Sequence, residues 1–226
     1  MGEAIDLQYI TNMQFKHKKF CVTREDAENI FLNETELHQL YDCKMPSIIM
    51  EEQRDLFIIG AWTGLRLSDY KNIKLENMVK IDGDLFIKMI TKKTKGLVII
   101  PCNPVVINIL KKYEVNRNKV PNSVSDQYFN RLLKDACQIA GLTEKGRLSK
   151  TPELALYQCV SSHTARRSFA TNMYLQSFPT IDLMKITGHS SEKTFLKYIK
   201  MSKLDSAKRL NEHIKKIWSE KMLRIA

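Results

Sequence analysis

Only one stretch of this chain has strand character, and it is too short to be more than one edge of a domain. Met78–Ile81, Leu85–Ile90 and Leu97–Ile100 are short apolar runs rich in Val, Ile and Phe, the residues that suit a pleated surface. Asp82-Gly83-Asp84 supplies a turn between the first two, and Lys92-Lys93-Thr94-Lys95-Gly96 a turn between the last two. A small antiparallel three-stranded sheet follows. The predicted fold class is mainly α with that one sheet, an α+β arrangement.

Helical spacing governs the rest. Asn33-Glu34-Thr35-Glu36 opens a helix ending near Cys43, and Ile49 to Leu65 forms another, broken by Gly64. Ser68 reads as the N-cap of a short helix through Ile73. Asn103-Pro104 starts a helix to about Tyr113, and Ser125 to Ala140 is amphipathic and stops at Gly141. Residues 142–160 read as a polar, Pro-containing loop. Helices are expected at about 162–176, 180–187, 191–200 and 202–223. The last carries Leu204, Leu210, Ile214 and Ile217 on one face, which packs most economically within the chain rather than on a neighbouring copy.

At 226 residues the chain makes one domain with an appendage, or two small ones. No apolar run approaches the ~18 residues of a membrane span, and no secretory signal is visible. The five cysteines are odd in number and include no C-x-x-C pair, which argues against a disulfide framework or zinc ribbon and for a reducing, intracellular setting. With 36 Lys and Arg against 25 Asp and Glu, the net charge of +11 points to a polyanion, nucleic acid first among them.

Four segments carry chemistry, though each has a bland explanation. In Thr63-Gly64-Leu65-Arg66-Leu67-Ser68-Asp69, Arg66 follows a helix-ending glycine; taken alone it is an ordinary surface or ion-pair residue. His163-Thr164-Ala165-Arg166-Arg167 places His163 and Arg166 one turn apart on one helical face, suited to gripping a single phosphate. A helix start with solvated arginines would look the same. Thr187-Gly188-His189-Ser190-Ser191 is at least a tight helix connection, and Tyr198, in Phe195-Leu196-Lys197-Tyr198-Ile199, could simply be core. Together, two Arg, two His, a hairpin-tip Lys and a Tyr form a complete set for metal-free phosphoryl transfer. They provide charge for the nonbridging oxygens, an acid for the leaving oxygen and a nucleophile.

The ordered stretches Thr63-Gly64-Leu65-Arg66, His163-Thr164-Ala165-Arg166-Arg167-Ser168-Phe169-Ala170-Thr171-Asn172, Gly188-His189-Ser190-Ser191 and Tyr198-Ile199 resemble the catalytic boxes of the tyrosine recombinase (phage integrase) family. The flavour is close to that of integrases of Bacteroides-type mobile elements, and the match runs from about residue 30 to 220. The resemblance implies that family's catalytic-domain fold and the following roles. Arg66 and Arg166 hold the nonbridging oxygens of the scissile phosphate. Tyr198 attacks phosphorus to give a 3′-phosphotyrosyl link, His163 assists removal of its proton, and His189 hydrogen-bonds the phosphate. A hairpin lysine protonates the leaving 5′-oxygen; counting back from Pro101 gives Lys93, with Lys95 competing and Lys92 the weaker choice. Lys92, Lys95 and Arg167 are then expected to contact DNA. Neither metal, cofactor nor ATP is called for.

The same resemblance implies double-stranded DNA as partner, a homo-oligomer (a tetramer) on DNA with the free chain allowed to be a monomer, no membrane, and a bacterial cytoplasmic, nucleoid-associated location. Relatives carry a further N-terminal helical DNA-binding domain. Residues 1–30 are therefore expected to be a linker or truncated remnant and residues 31–226 the catalytic domain, in either a fragment or a minimal relative. The rival readings are a type IB topoisomerase-like enzyme and a catalytically inactive DNA-binding relative.

Overall fold

The computed structural model describes residues 28–114, 121–189 and 191–199, together with helical residues 206–207, 210–211, 214–215 and 217–218. The expected 1–30 segment therefore lies almost wholly outside the described residues, as does Leu204.

Helix α1 (Glu34–Asp42) starts at a reciprocal capping box. The Asn33 side chain accepts from the Glu36 amide at 2.9 Å, and the Glu36 carboxylate accepts from the Asn33 amide at 2.8 Å. Helix α2 (Ile48–Thr63) is capped by Ser47 and buries Leu56, Phe57, Ile58 and Ile59 completely, so it is the core's central rod. Its buried Arg54 donates to the carbonyls of Leu40, Tyr41 and Cys43, closing the free C-terminal end of α1.

Helix α3 spans Leu67–Tyr70. The expected start at Ser68 is corrected: Arg66 occupies the N-cap position without a side-chain cap bond, and the helix stops at Tyr70 rather than Ile73. The chain leaves α2 through the left-handed Gly64, and Leu65 is buried at once, so packing rather than a capping hydroxyl sets the start. The sheet follows, β1 (Met78–Ile81), β2 (Asp84–Ile90) and β3 (Leu97–Pro101), antiparallel in the order 1-2-3. Ile87 pairs with Met78 and Ile100, and Met89 pairs with Val98. Ile87, Met89, Val98 and Ile100 bury one face while Lys88, Ile90, Leu97 and Ile99 stay outside.

Helices α4 (Pro104–Glu114) and α5 (Asp126–Ile139) complete the main core around α2. The expected 142–160 loop is not structureless. It holds a one-turn helix, α6 (Leu156–Cys159), and an isolated bridge pairing Lys145 with Ala155. Helix α7 (Ser162–Leu175) packs across α2 and holds the incoming chain: Ser168 Oγ accepts from the Leu32 amide at 2.8 Å, and Asn172 Nδ2 donates to the Leu32 carbonyl at 3.0 Å.

Helices α8 (Thr180–Thr187) and α9 (Glu192–Leu196) follow. The expected 191–200 helix is shorter than its apolar spacing suggested. It ends at Leu196, and Tyr198 sits in the turn beyond it, its amide bonded to the Phe195 carbonyl at 2.8 Å. Phe169, Ala170, Leu183 and Phe195 form a second, smaller core against which Tyr198 and Ile199 pack. The described residues of the 202–223 stretch are helical. Of its expected apolar stripe, Leu210 is 60% exposed, Ile214 43% and Ile217 39%.

Candidate active site

The site is assembled at the point where α2 ends, α7 begins, and the β2–β3 turn meets the α8–α9 connection. Gly64 makes the first junction possible. Its φ of +68° is left-handed, and a methyl group there would overlap the Phe169 ring of α7. Gly188 makes the second, with φ +61°. A Cβ at that position would lie 3.3 Å from Thr94 Oγ1 and 4.0 Å from Arg66 Nη1, so the hairpin turn and Arg66 both close on this glycine.

Arg166 is the buried centre, only 3% exposed. Nη1 donates to the Gly64 carbonyl at 2.8 Å and Nη2 to the Thr187 carbonyl, while Nε has no hydrogen-bond partner among the described residues. Burial first, and then the Arg66 guanidinium, lower its pKa to about 10, against upward pulls from Tyr198 and Asp69. It remains a cation at neutral pH. Among the described residues neither Arg66 nor Arg166 has a carboxylate at salt-bridge distance. The Asp69 carboxylate acts on Arg166 from beyond that distance, so among the described residues neither guanidinium is directly ion-paired.

Tyr198 lies against this charge. Its ring is 5.9 Å from the Arg166 guanidinium carbon and 5.9 Å from that of Arg167. Arg167 is accordingly half-buried beside the tyrosine rather than free on the surface, and burial lowers its pKa. The His189 ring meets Tyr198 edge-on at 4.7 Å and Phe195 at 5.4 Å. Its Nδ1 is 2.8 Å from Thr187 Oγ1, which donates in turn to the Leu183 carbonyl at 2.5 Å. Burial, then Arg166 and Arg66, push the His189 pKa down to about 4.

His163 is exposed on the first turn of α7. Partial desolvation against the pocket wall, then Arg167, Arg166, Arg66 and Lys93, lower its pKa. Lys93 is the hairpin lysine among these perturbing charges. Lys92, Lys93 and Lys95 are all exposed, with Lys95 at a left-handed φ of +54°. Their turn is held by Thr91 Oγ1 to Thr94 Oγ1 at 2.7 Å, by the Lys95 amide to the Thr91 carbonyl at 3.0 Å, and by Asp69.

Asp69 and Thr187 were not singled out in the sequence. Asp69 is fully buried, and its Oδ1 accepts from the Lys92 amide at 2.8 Å, tying the lysine turn to the Arg66 segment. A carboxylate in the first turn of a short helix looks like routine dipole pairing, and nothing in the sequence signals its burial. No group of three His, Cys, Asp or Glu side chains suited to a metal ion occurs among the described residues, and none of their helices is long and apolar enough to cross a membrane.

The phage integrase family model matches residues 30–204, a span that takes in every residue of this constellation. The chain belongs to the phage integrase family. Among curated proteins none matches it in sequence. Its fold is that of solved integrases and recombinases. The XerH site-specific recombinase, bound to palindromic difH substrate in a post-cleavage complex, is 19% identical with a TM-score of 0.58, over 84% of this chain and 53% of that one. Lambda integrase, as a tetramer bound to a Holliday junction, is 16% identical with a TM-score of 0.63, over 88% and 55%. The Tn1549 transposon integrase, in complex with circular intermediate DNA, is 18% identical with a TM-score of 0.60, over 92% and 73%. This integrase-family chain thus spans little more than half the length of the XerH and lambda proteins that it resembles.

Proposed function

We propose that this chain is the catalytic domain, residues 31–226, of a tyrosine-type site-specific DNA recombinase. The observation that carries this reading is Arg166, buried beside Arg66, with its guanidinium carbon 5.9 Å from the Tyr198 ring and no carboxylate at salt-bridge distance among the described residues. Buried charge is tolerated when it is paired, so the pocket is completed by an anion. A phosphodiester of double-stranded DNA supplies that anion beside a phenol.

Arg66 and Arg166 hold the nonbridging oxygens and stabilise the charge that builds on them in the transition state. Tyr198 Oη attacks phosphorus, His163 assists removal of its proton, and His189 hydrogen-bonds the phosphate. Lys93 protonates the departing 5′-oxygen. Lys92, Lys95 and Arg167 add phosphate attraction, Arg167 from within the pocket. The phosphotyrosyl bond conserves the energy of the broken phosphodiester, so the strand passes to another 5′-hydroxyl without ATP, metal or cofactor. A tetramer on DNA is the working assembly, as in the lambda integrase structure, and the bacterial nucleoid is its place of work.

The test is incubation with nicked duplexes bearing element ends. A protease-sensitive adduct should appear, and mass spectrometry should place it on Tyr198. Strand exchange between two duplexes separates a recombinase from a topoisomerase, which relaxes supercoils instead. A chain that binds DNA and forms no adduct is the inactive relative.

A further inference from the structure

Thr187 stands immediately before the Gly188-His189 pair and is 1% exposed. Its hydroxyl has one proton and two close neighbours, the Leu183 carbonyl at 2.5 Å and His189 Nδ1 at 2.8 Å. Two oxygens at 2.5 Å require a proton between them, and a carbonyl has none to give. The threonine proton is therefore committed to Leu183, and Oγ1 can only accept from the imidazole. This assigns the His189 hydrogen to Nδ1 and leaves a lone pair on Nε2.

We propose that Thr187 is a positioning residue that fixes His189 in its Nδ1-protonated tautomer, so that Nε2 enters the reaction as a proton acceptor. The inference rests on the recombinase reading of the site and deepens it. Phosphate oxygens only accept, so a neutral ring in this tautomer cannot bond the phosphate through Nε2 until it takes up a proton. Tyr198, whose ring centroid lies 4.7 Å from that of the imidazole, is the phenol that supplies it. As Oη attacks, the phenol O–H bond breaks and its proton comes to rest on Nε2, with His163 assisting from the exposed side. The Oη–P bond forms, the P–O5′ bond breaks, and the departing oxygen takes a proton from Lys93. His189 then becomes a cationic donor to the phosphate only as negative charge accumulates there.

The charged and titratable groups facing His189 are Arg166 of α7, Arg66 at the start of α3, and Tyr198 beyond α9. With burial, the two arginines keep the ring neutral in the free protein. Thr187 also anchors Arg166, but through its carbonyl, which side-chain substitution leaves in place.

The experiment is nitrogen-15 imidazole spectroscopy of the full chain at pH 7, without DNA, with the His189 signals assigned through His189→Gln. Nδ1 should be of the protonated type in the wild type and in Thr187→Ser. In Thr187→Val the proton should move to Nε2, and adduct formation on nicked DNA should slow by about 10²-fold with DNA affinity unchanged. A wild-type proton on Nε2 overturns the proposal, whether or not the valine variant folds. So does a Thr187→Val protein that keeps its tautomer, or one that changes tautomer and keeps its rate. If the wild type forms no adduct on any DNA, the recombinase reading fails, while the tautomer spectra are read independently of it.

Discussion

Arg166 Nη1 lies 2.8 Å from the carbonyl oxygen of Gly64, 102 residues earlier in the chain. That bond fixes the guanidinium of α7 to the turn that ends α2, two residues before Arg66. The two arginines are thus positioned by one junction, and its geometry depends on a glycine in each of the loops they face.

Gly64→Ala should be strongly destabilising. The left-handed backbone costs about 1–2 kcal/mol for a residue with a Cβ, and the methyl group would displace the Phe169 ring, a further 1–3 kcal/mol of overpacking. Urea unfolding should show a loss of about 2–5 kcal/mol. A loss under 1 kcal/mol would mean that the junction relaxes freely.

Tyr198→Phe removes one oxygen and leaves the ring contacts with His189, Arg166 and Arg167. Fold and DNA affinity should survive, and the slow-migrating covalent band should vanish. Persistence of that band would assign the nucleophile elsewhere, and the adducted peptide would name it.

Lys93→Ala should slow strand cleavage by about 10²–10⁴-fold, the usual worth of a general acid. Lys95→Gly, which suits the left-handed φ of +54° at that position, should cleave at nearly the wild-type rate. A 5′-bridging sulfur, which leaves without a proton, should rescue Lys93→Ala. Rescue of Lys95→Gly instead would reassign the acid.

Stability should fall on acidification. His189 titrates near 4 in the folded chain and about 6.5 when unfolded, so between those values the unfolded state binds the extra proton. The stabilising contribution is complete above about pH 6.5 and is lost as pH falls toward 4. The Tm of the wild type should drop through this window more steeply than that of His189→Gln. Parallel curves would refute the shift.

DNA binding should weaken steeply with salt, with a log–log slope of about −0.9 per phosphate neutralised. Chelators should leave cleavage unchanged, because guanidinium groups and a lysine supply the pocket's charge. Activity abolished by EDTA and restored by magnesium would place the chemistry in another class.

The three strands were legible to within a residue at each end, because alternation and Gly-centred turns are local properties. So were α1 and α5, whose caps Asn33 and Ser125 hydrogen-bond as their side chains allow, and α2 runs within two residues of its expected bounds and stops at Gly64. The readings that failed were decided by distant contacts. Ser68 looked like a cap, yet Leu65 burial starts the helix earlier. Tyr157 looked like a loop residue and lies in α6. The residues of the site were visible as types at a spacing, but the burial of Asp69 and the proton held by Thr187 belong to the assembled molecule.

The small core of Phe169, Leu183 and Phe195 is set apart from the main one, touching it through Ile186, and it is the part that carries Tyr198. Segments with few apolar partners open at lower free energy than the domain as a whole. Warming should therefore silence the nucleophile before the helices around α2 come apart, so that catalysis and folding have separate melting points.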